Sequence, residues 1–270
     1  MSVPESSAPP QGRTTSREAD TMTFYLGSHM PNWLEVADIP LFISHRRLSG
    51  RRTLPQARTW WALDSGGFSE LSLYGTWKTS PETYVSAVVR YDTEIGQLGW
   101  AAPQDWMCEP VMLAKTGLTV AEHQRRTVAN FVYLQELWEH VSDEDCPFMP
   151  VLQGWELEDY RRCWRMYEDA GVNLIEYEVV GLGSVCRRQA TEEIGDIVET
   201  LLERDPGLPI HGFGVKKTGL AHYGHLLTSA DSMAWSYDAR RKAPLDGCTT
   251  HINCANCLIY ATRWYEQVIA

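Results

Sequence analysis

The sequence predicts a (β/α)8 barrel of the TIM type with a metal-binding motif near its C-terminal end, and three observations carry that expectation. Short apolar runs alternate with amphipathic helical patterns about eight times within 270 residues, the length of one such barrel. Several of those runs are apolar at every position, as strands covered on both faces must be. Polar residues and glycines gather where the runs end, on the face where a barrel carries its chemistry. An open doubly wound sheet is the alternative, but no glycine-rich dinucleotide fingerprint follows the first run.

Taken in order, strands are expected at 24–26, 41–44, 61–64, 100–103, 149–153, 178–181, 210–215 and 232–236. Ser80-Pro81-Glu82 supplies an N-cap, a proline at the first helical position and an early acid, so a helix starts there. Thr119-Val120-Ala121-Glu122 has the form of a capping box and opens a helix to about His140. On it Val128, Phe131, Leu134, Leu137, Trp138 and Val141 keep three-to-four spacing and predict one buried face. Later helices are expected at 158–170, 191–203, 219–227 and 257–269.

Residues 1–21, rich in Ser, Pro and Thr without an apolar core, are expected to form a disordered leader, with Met22 as a candidate start. No linker or internal repeat divides 22–270, which is expected to be one barrel domain that includes the metal motif at 248–257.

A hydrophobic fraction of 44% and a charged fraction of 22% suit a soluble globular enzyme. No apolar run approaches the roughly 18 residues of a membrane span, so no membrane partner is expected. Of seven cysteines, Cys248, Cys254 and Cys257 crowd together while Cys108, Cys146, Cys163 and Cys186 are scattered. That distribution points to a reducing compartment, with the cytoplasm as the default, and to one metal site rather than a disulfide framework.

The polar strand ends are Asp64 in LDSGGF, Asp105 in PQDW, Gln153 in VLQGW, the Gly181-Leu182-Gly183 segment, and Asp231 in SADSMAW. Any one Asp at a strand end is as readily a loop-ordering cap. Carboxylates and an amide converging from different strands instead suit several chemistries, glycoside hydrolysis with its carboxylate pair among them. Glycines 66, 67, 154, 181, 183, 212 and 214 follow strands and leave room for a flat ligand against backbone. A barrel glycoside hydrolase would use the carboxylates but would have no need of Gln153.

In their order these motifs resemble the tRNA-guanine transglycosylase superfamily, and within it the DNA 7-deazaguanine transglycosylases of phages and bacteria. The resemblance runs from about Phe24 to the end of the chain. It rests on Asp64-Ser65-Gly66-Gly67-Phe68, Asp105, Gln153-Gly154, Gly181-Leu182, and Asp231 with Ala239-Arg240. It implies that Asp231 attacks C1′ of a guanosine nucleotide to form a covalent intermediate and that Asp64 is the general base. It further implies that Phe68, Asp105, Gln153, Gly154, Gly181, Leu182, Gly183 and His211 bind the base, with Phe68 stacking on it. His211 takes a place where the family has an apolar residue packing on the base, and a structural histidine is the other reading. DNA is the favoured nucleic acid and tRNA the alternative; a 7-deazaguanine is the incoming base, and a helicase-like partner is one way to open a duplex. Cys186 stands where tRNA enzymes carry a Glu that favours an aminomethyl cation, so the neutral 7-cyano-7-deazaguanine is the preferred base. A non-catalytic relative would be expected to lack Asp231.

Cys248, His251, Cys254 and Cys257 offer three thiolates and an imidazole, a set suited to structural Zn2+. The tRNA enzymes place their histidine ligand downstream, where this chain has none, so the fourth ligand is either His251 or a distant group such as His222 or His225. The net charge of −11 argues against nucleic acid unless the cations gather on one face. They do follow strands: Arg46-Arg47, Arg51-Arg52, Arg187-Arg188, Lys216-Lys217 and Arg240-Arg241-Lys242 are the expected rim. Among eleven tryptophans, Trp106, Trp155 and Trp235 sit beside motif residues and are candidates to stack on bases.

Overall fold

A computed structural model describes residues 22–188 and 191–270; the leader expected at 1–21 lies outside the described residues. Eight strands appear in chain order: β1 (Thr23–Ser28), β2 (Leu41–Ser44), β3 (Trp61–Asp64), β4 (Leu98–Ala101), β5 (Val151–Leu152), β6 (Val180–Leu182), β7 (Ile210–Gly212) and β8 (Ser229–Ser232). Their helices are α1 (His45–Leu48), α2 (Gly67–Tyr74), α3 (Pro81–Ile95), α4 (Pro110–Thr116), α5 (Val120–Val141), α6 (Leu157–Asp169), α7 (Glu192–Arg204), α8 (Lys217–Tyr223), α9 (Ala234–Arg240) and α10 (Leu258–Ile269).

All strand pairings are parallel, in the order β4-β3-β2-β1-β8-β7-β6-β5, so the first and last strands are neighbours. The closed barrel expected from the sequence is corrected here, because no regular ladder joins β4 to β5. Only an isolated bridge between Ala101 and Phe148 spans that seam, with Ala101 N–H on the Pro147 carbonyl and Met149 N–H on Ala101. Pro147 and Pro150 have no N–H to give, and Pro103, two residues past β4, has none either, which leaves too few donors for a full ladder.

The pleat sorts the strand residues into two layers. Phe24, Leu26, Leu41, Ile43, Trp61, Leu63, Leu152, Val180, Leu182, Ile210 and Ala230 face the helices and join the main core. Tyr25, Phe42, Ala62, Trp100, Met149 and Val151 face inward and make a second, largely aromatic core. Positions two further along the inward row are Ser44, Asp64 and Gln153, so the same alternation that fills the interior delivers polar groups to its mouth.

The eighth strand lies earlier than expected. Ser-Ala-Asp-Ser carries no apolar signal and forms β8 through its pairing with β1 and β7, while the apolar run after it becomes α9. Trp235 in that helix packs against Trp33 with centroids 5.4 Å apart and donates to the Gly27 carbonyl at 2.8 Å. The helix starts hold: Ser80 Oγ accepts from Thr83 N–H, and Thr119 Oγ1 from Glu122 N–H. On α5, Val128, Phe131, Leu134 and Trp138 are buried, but Val141 in the last turn is exposed. The helix expected at 219–227 is instead α8 followed by a 3-10 turn over Gly224–Leu226. Among the described residues no helix is long and apolar enough to cross a membrane.

Phe148 sits at the seam against Tyr84 (5.7 Å) and Trp138 (6.0 Å) and is 1% exposed. Phe148→Ala is expected to lower unfolding free energy by about 3–5 kcal/mol in denaturant titration, since it empties a packed site where few backbone bonds compensate.

Candidate active site

A cavity of about 560 Å³ opens at the C-terminal ends of the strands. Asp64 closes β3, Asp231 is the third residue of β8, Gln153 and Gly183 follow β5 and β6, and Asp105 lies in the loop after β4. All five line the cavity, as does Phe68 from the first turn of α2.

Asp64 Oδ1 accepts from Gly66 N–H at 3.1 Å, and the Ser44 hydroxyl also bonds to it. The turn depends on Gly66, whose φ of +81° places it in the left-handed region and whose absent Cβ would lie 2.8 Å from Arg46 Cγ. Burial holds the Asp64 carboxyl above its usual range, and the charge of Asp231 adds to that; Ser44, Gly66 and Arg46 offset part of it.

Asp231 is buried, and its Oδ1 accepts from Gly214 N–H at 2.9 Å. Beneath it His211 Nε2 lies 3.4 Å from the same oxygen. The His211 ring is fully buried against Trp100 and Phe213 and is not part of the cavity wall. Gly154, Gly181 and Leu182 also stand behind the wall. Gly154 makes room for α6, Gly181 for Phe213, and Leu182 points into the outer core.

A hydrogen-bonded chain runs along the cavity floor. Gln153 Nε2 donates to Asp105 Oδ2 at 2.5 Å, and Ser184 Oγ lies 2.7 Å from Gln153 Oε1 and 3.1 Å from Glu109 Oε2. Ser184 Oγ also accepts from Cys108 N–H at 2.7 Å. One hydroxyl has one proton, so it cannot serve both Gln153 and an ionised Glu109. With the amide in this orientation the proton belongs on Glu109, which donates to Ser184 while Ser184 donates to Gln153. Turning the amide over would move that proton to Asp105. Burial raises both carboxyls: Asp105 reaches about 7, with Asp64 and Glu109 adding to the rise and Gln153 opposing it. Gly183 admits Gln153 to this place, because a Cβ there would stand 2.2 Å from Gln153 Nε2.

Sequence reading missed Glu109 and Ser184. Glu109 precedes Pro110 and reads as an ordinary helix-start acid, and Ser184 gives no signal beyond following a glycine. Its φ of +61°, rare for a residue with a Cβ, marks it only in the structure.

The expected basic rim divides. Arg46 and Arg47 line the cavity, Arg187 lies over the Phe68 ring at 5.4 Å, and Lys216, Arg240 and Arg241 are exposed. Arg188 is instead committed inside, stacked on Trp155 at 4.1 Å, paired with Glu193 at 2.7 Å and bonded to the Trp155 carbonyl. Lys217 Nζ donates to Gln267 on α10 at 3.0 Å, and Arg51 to Asn32 at 2.6 Å. Arg52 lines a separate surface depression with Glu35 and Glu94. The tryptophans are taken too: Arg126 covers Trp106, Arg188 covers Trp155, and Trp235 is buried.

Cys248, His251, Cys254 and Cys257 place one ligand atom each within 4.8 Å of one another. Cys248 Sγ and Cys257 Sγ are 4.0 Å apart, and His251 Nε2 is 3.3 Å from Cys254 Sγ. Ligands on a tetrahedral ion sit roughly 3.5–3.8 Å apart when bonds are about 2.0–2.3 Å, so these four fit a metal ion. His251 belongs to the cluster, whereas the other histidines considered, His222 and His225, are exposed and are not part of it. Asn256 in this loop bonds His29, a cavity residue, at 3.1 Å.

A family model described as DpdA, DeoxyPurine in DNA protein A, matches residues 21–270. The chain belongs to the DpdA family. As a DpdA-family member it is a guanine transglycosylase with a role in 7-deazaguanine modification of DNA. A comparison with curated proteins finds no match.

Because Asp105 keeps its proton to about 7 in the fold and only to about 3.8 when unfolded, it makes stability fall as pH rises between those values. Asp105→Asn can still accept from Gln153 and has no charge to bury. Thermal unfolding is expected to show the variant losing less stability than the parent between pH 5 and pH 8, by on the order of 1–3 kcal/mol.

Proposed function

We propose that the cavity receives a guanine flipped out of DNA and that Asp231 exchanges it for 7-cyano-7-deazaguanine through a covalent glycosyl intermediate. The observation that carries this reading is the convergence of Asp231 and Asp64 on a cavity whose floor, Asp105 and Gln153, matches the hydrogen-bonding edge of guanine. Ionised Asp105 accepts from N1–H and the exocyclic amine. The second hydrogen of Gln153 Nε2, beyond the one given to Asp105, is left for O6. Exposed Phe68 offers its ring to the base face, and Arg46, Arg47, Arg187, Lys216, Arg240 and Arg241 offer charge to phosphates. A base inside a duplex cannot reach such a cavity, so the nucleotide enters flipped or single-stranded.

In the first step Asp231 bonds to C1′ as the C1′–N9 bond breaks, and guanine leaves with the electron pair. Asp64, held above the usual carboxylate range, returns a proton to the departing ring. The incoming base loses its ring proton to Asp64 as it displaces Asp231, so the exchange is proton-neutral overall.

The thiol of Cys186, which lines the cavity, supports the nitrile, because that position offers no carboxylate to pair with an aminomethyl cation.

The test supplies labelled guanine in DNA or in tRNA, with 7-cyano- or 7-aminomethyl-7-deazaguanine in excess. Release from DNA with the nitrile base is expected, and Asp231→Asn is expected to lower it by about 10⁴-fold or more and to abolish any denaturation-resistant DNA adduct. Release from tRNA alone would overturn the substrate, and an active Asp231→Asn would overturn the mechanism.

The ligand set supports Zn2+ as the ion of the Cys/His cluster, in a structural role, since four protein ligands leave no position for a reacting water. Metal analysis of the purified protein is expected to give about one zinc per chain. Cys254→Ser is expected to lower that content and the melting temperature together, because binding free energy there is folding free energy.

A further inference from the structure

His211 has one buried nitrogen that lacks a hydrogen-bond partner among the described residues and lies close to the carboxylate of Asp231. Its ring is fully buried, Nδ1 lies 2.9 Å from Ser229 Oγ, and Nε2 lies 3.4 Å from Asp231 Oδ1 and forms no hydrogen bond, that carboxylate being close but not yet bonded. Tyr25, Phe42, Trp100 and Phe213 surround it, with centroids at 6.0, 6.1, 4.8 and 4.9 Å, and shut the ring off from the surface.

The tautomer follows from what each nitrogen faces. An unprotonated Nε2 would set its lone pair against a carboxylate oxygen in a low-dielectric interior, which is repulsive. A hydrogen on Nε2 turns the same contact into attraction. Nδ1 is then the acceptor, and Ser229 donates its hydroxyl proton to it. Ser229 pairs with His211 in the β7–β8 register and lies two residues before Asp231 on the same inward row. The fold therefore builds a line from Ser229 through His211 to Asp231.

We propose that His211 is a positioning residue for Asp231: with Gly214 N–H it engages Oδ1, and so assigns Oδ2 as the oxygen that bonds to C1′. The inference rests on the reading of Asp231 as nucleophile. Gly214 N–H at 2.9 Å and the imidazole at 3.4 Å both address Oδ1, and no described donor is bonded to Oδ2. Attack through Oδ2 makes the ester bond while Oδ1 becomes its carbonyl. When the incoming base displaces the ester, charge returns to the carboxylate and the two donors stabilise it. A lost donor therefore slows departure of Asp231 from C1′ more than it affects base binding. The ring nitrogen stands 3.4 Å from Oδ1, short of a formed hydrogen bond, and closing that gap as charge returns supplies the second donor.

The experiment compares His211→Phe, His211→Gln and Ser229→Ala with the parent, using a guanine-containing DNA and labelled 7-cyano-7-deazaguanine. Folding is checked by thermal unfolding, and adduct is read on denaturing gels after a chase with the free base. His211→Phe keeps an aromatic body without a donor, and it is expected to lower kcat on the order of 10- to 100-fold with KM for the base changed less than about twofold. Its covalent adduct is expected to outlive the parent's by a similar factor. His211→Gln, which returns an N–H, is expected to recover part of the rate, and Ser229→Ala to move kcat the same way by a smaller factor. The inference is overturned if folded His211→Phe keeps kcat within twofold, or if the adduct decays at the parental rate. It is overturned equally if His211→Gln is no better than His211→Phe. Should Asp231→Asn still exchange bases, the underlying nucleophile assignment fails instead, which separates the two outcomes.

Discussion

Four carboxyl groups, Asp64, Asp105, Glu109 and Asp231, line one cavity, and the rest of the site follows from keeping them from repelling one another. Two unit charges about 4 Å apart cost about 4 kcal/mol at the effective dielectric of a protein near its surface, so four ionised groups would not stay together unaided. The chain meets this in two ways. Asp64 and Asp231 receive hydrogen-bond donors from backbone and side chains, with Arg46 close to the first. Asp105 and Glu109 are joined through Gln153 and Ser184 by bonds that balance only when one carboxyl is neutral. The orientation of one amide thus decides where a proton rests and which edge of a base the floor complements.

That arrangement depends on the pleat of the sheet. Inward positions of β2, β3 and β5 carry apolar side chains (Phe42, Ala62 and Val151) in the interior, and the next inward positions carry polar ones. Side-chain volume is removed where the floor needs it, at Gly183, and the aromatic layer beneath excludes water from His211. A site of buried carboxyls subtracts from stability, and the two packed cores supply the surplus that tolerates it. The seam between β4 and β5 is the place where the surplus is thinnest, because prolines there remove backbone donors.

Much of this was legible in the sequence where the signal is local. The caps at Ser80 and Thr119, the apolar runs of the first three strands, and the grouping of Cys248, His251, Cys254 and Cys257 are short-range patterns, and each has its counterpart in the structure. Asp64, Asp105, Gln153 and Asp231 were legible as polar ends of strands, and they meet at one cavity. Pairings across long separations were not. Glu109 and Ser184 are 75 residues apart and acquire their relation only through the fold. β8 has a polar, small-residue sequence whose burial comes from its neighbours, so periodicity placed it too late. Arg188, Lys217 and Trp155 looked available because sequence shows charge and aromaticity but not prior commitments. The sequence leaves His211 open between packing on the base and a structural role, and only the fold decides, because β7 turns its ring into the aromatic layer below.

The metal cluster and the basic residues are best understood together. A body with a net charge of −11 gains nothing from DNA unless its cations are held on one surface. Arg240 and Arg241 end α9, and the Cys/His loop follows directly; Ser236 of α9 donates to the Ala255 carbonyl at 2.9 Å, and Asn256 reaches His29 at the cavity. Cys257 is the N-cap of α10, the helix to which Lys217 is tethered. An ion bound by the four ligands would therefore fix α9, α10 and one side of the cavity mouth relative to one another. None of the four ligands lines the cavity, so the ion's influence on base exchange would run through the placement of that surface and not through the reacting atoms.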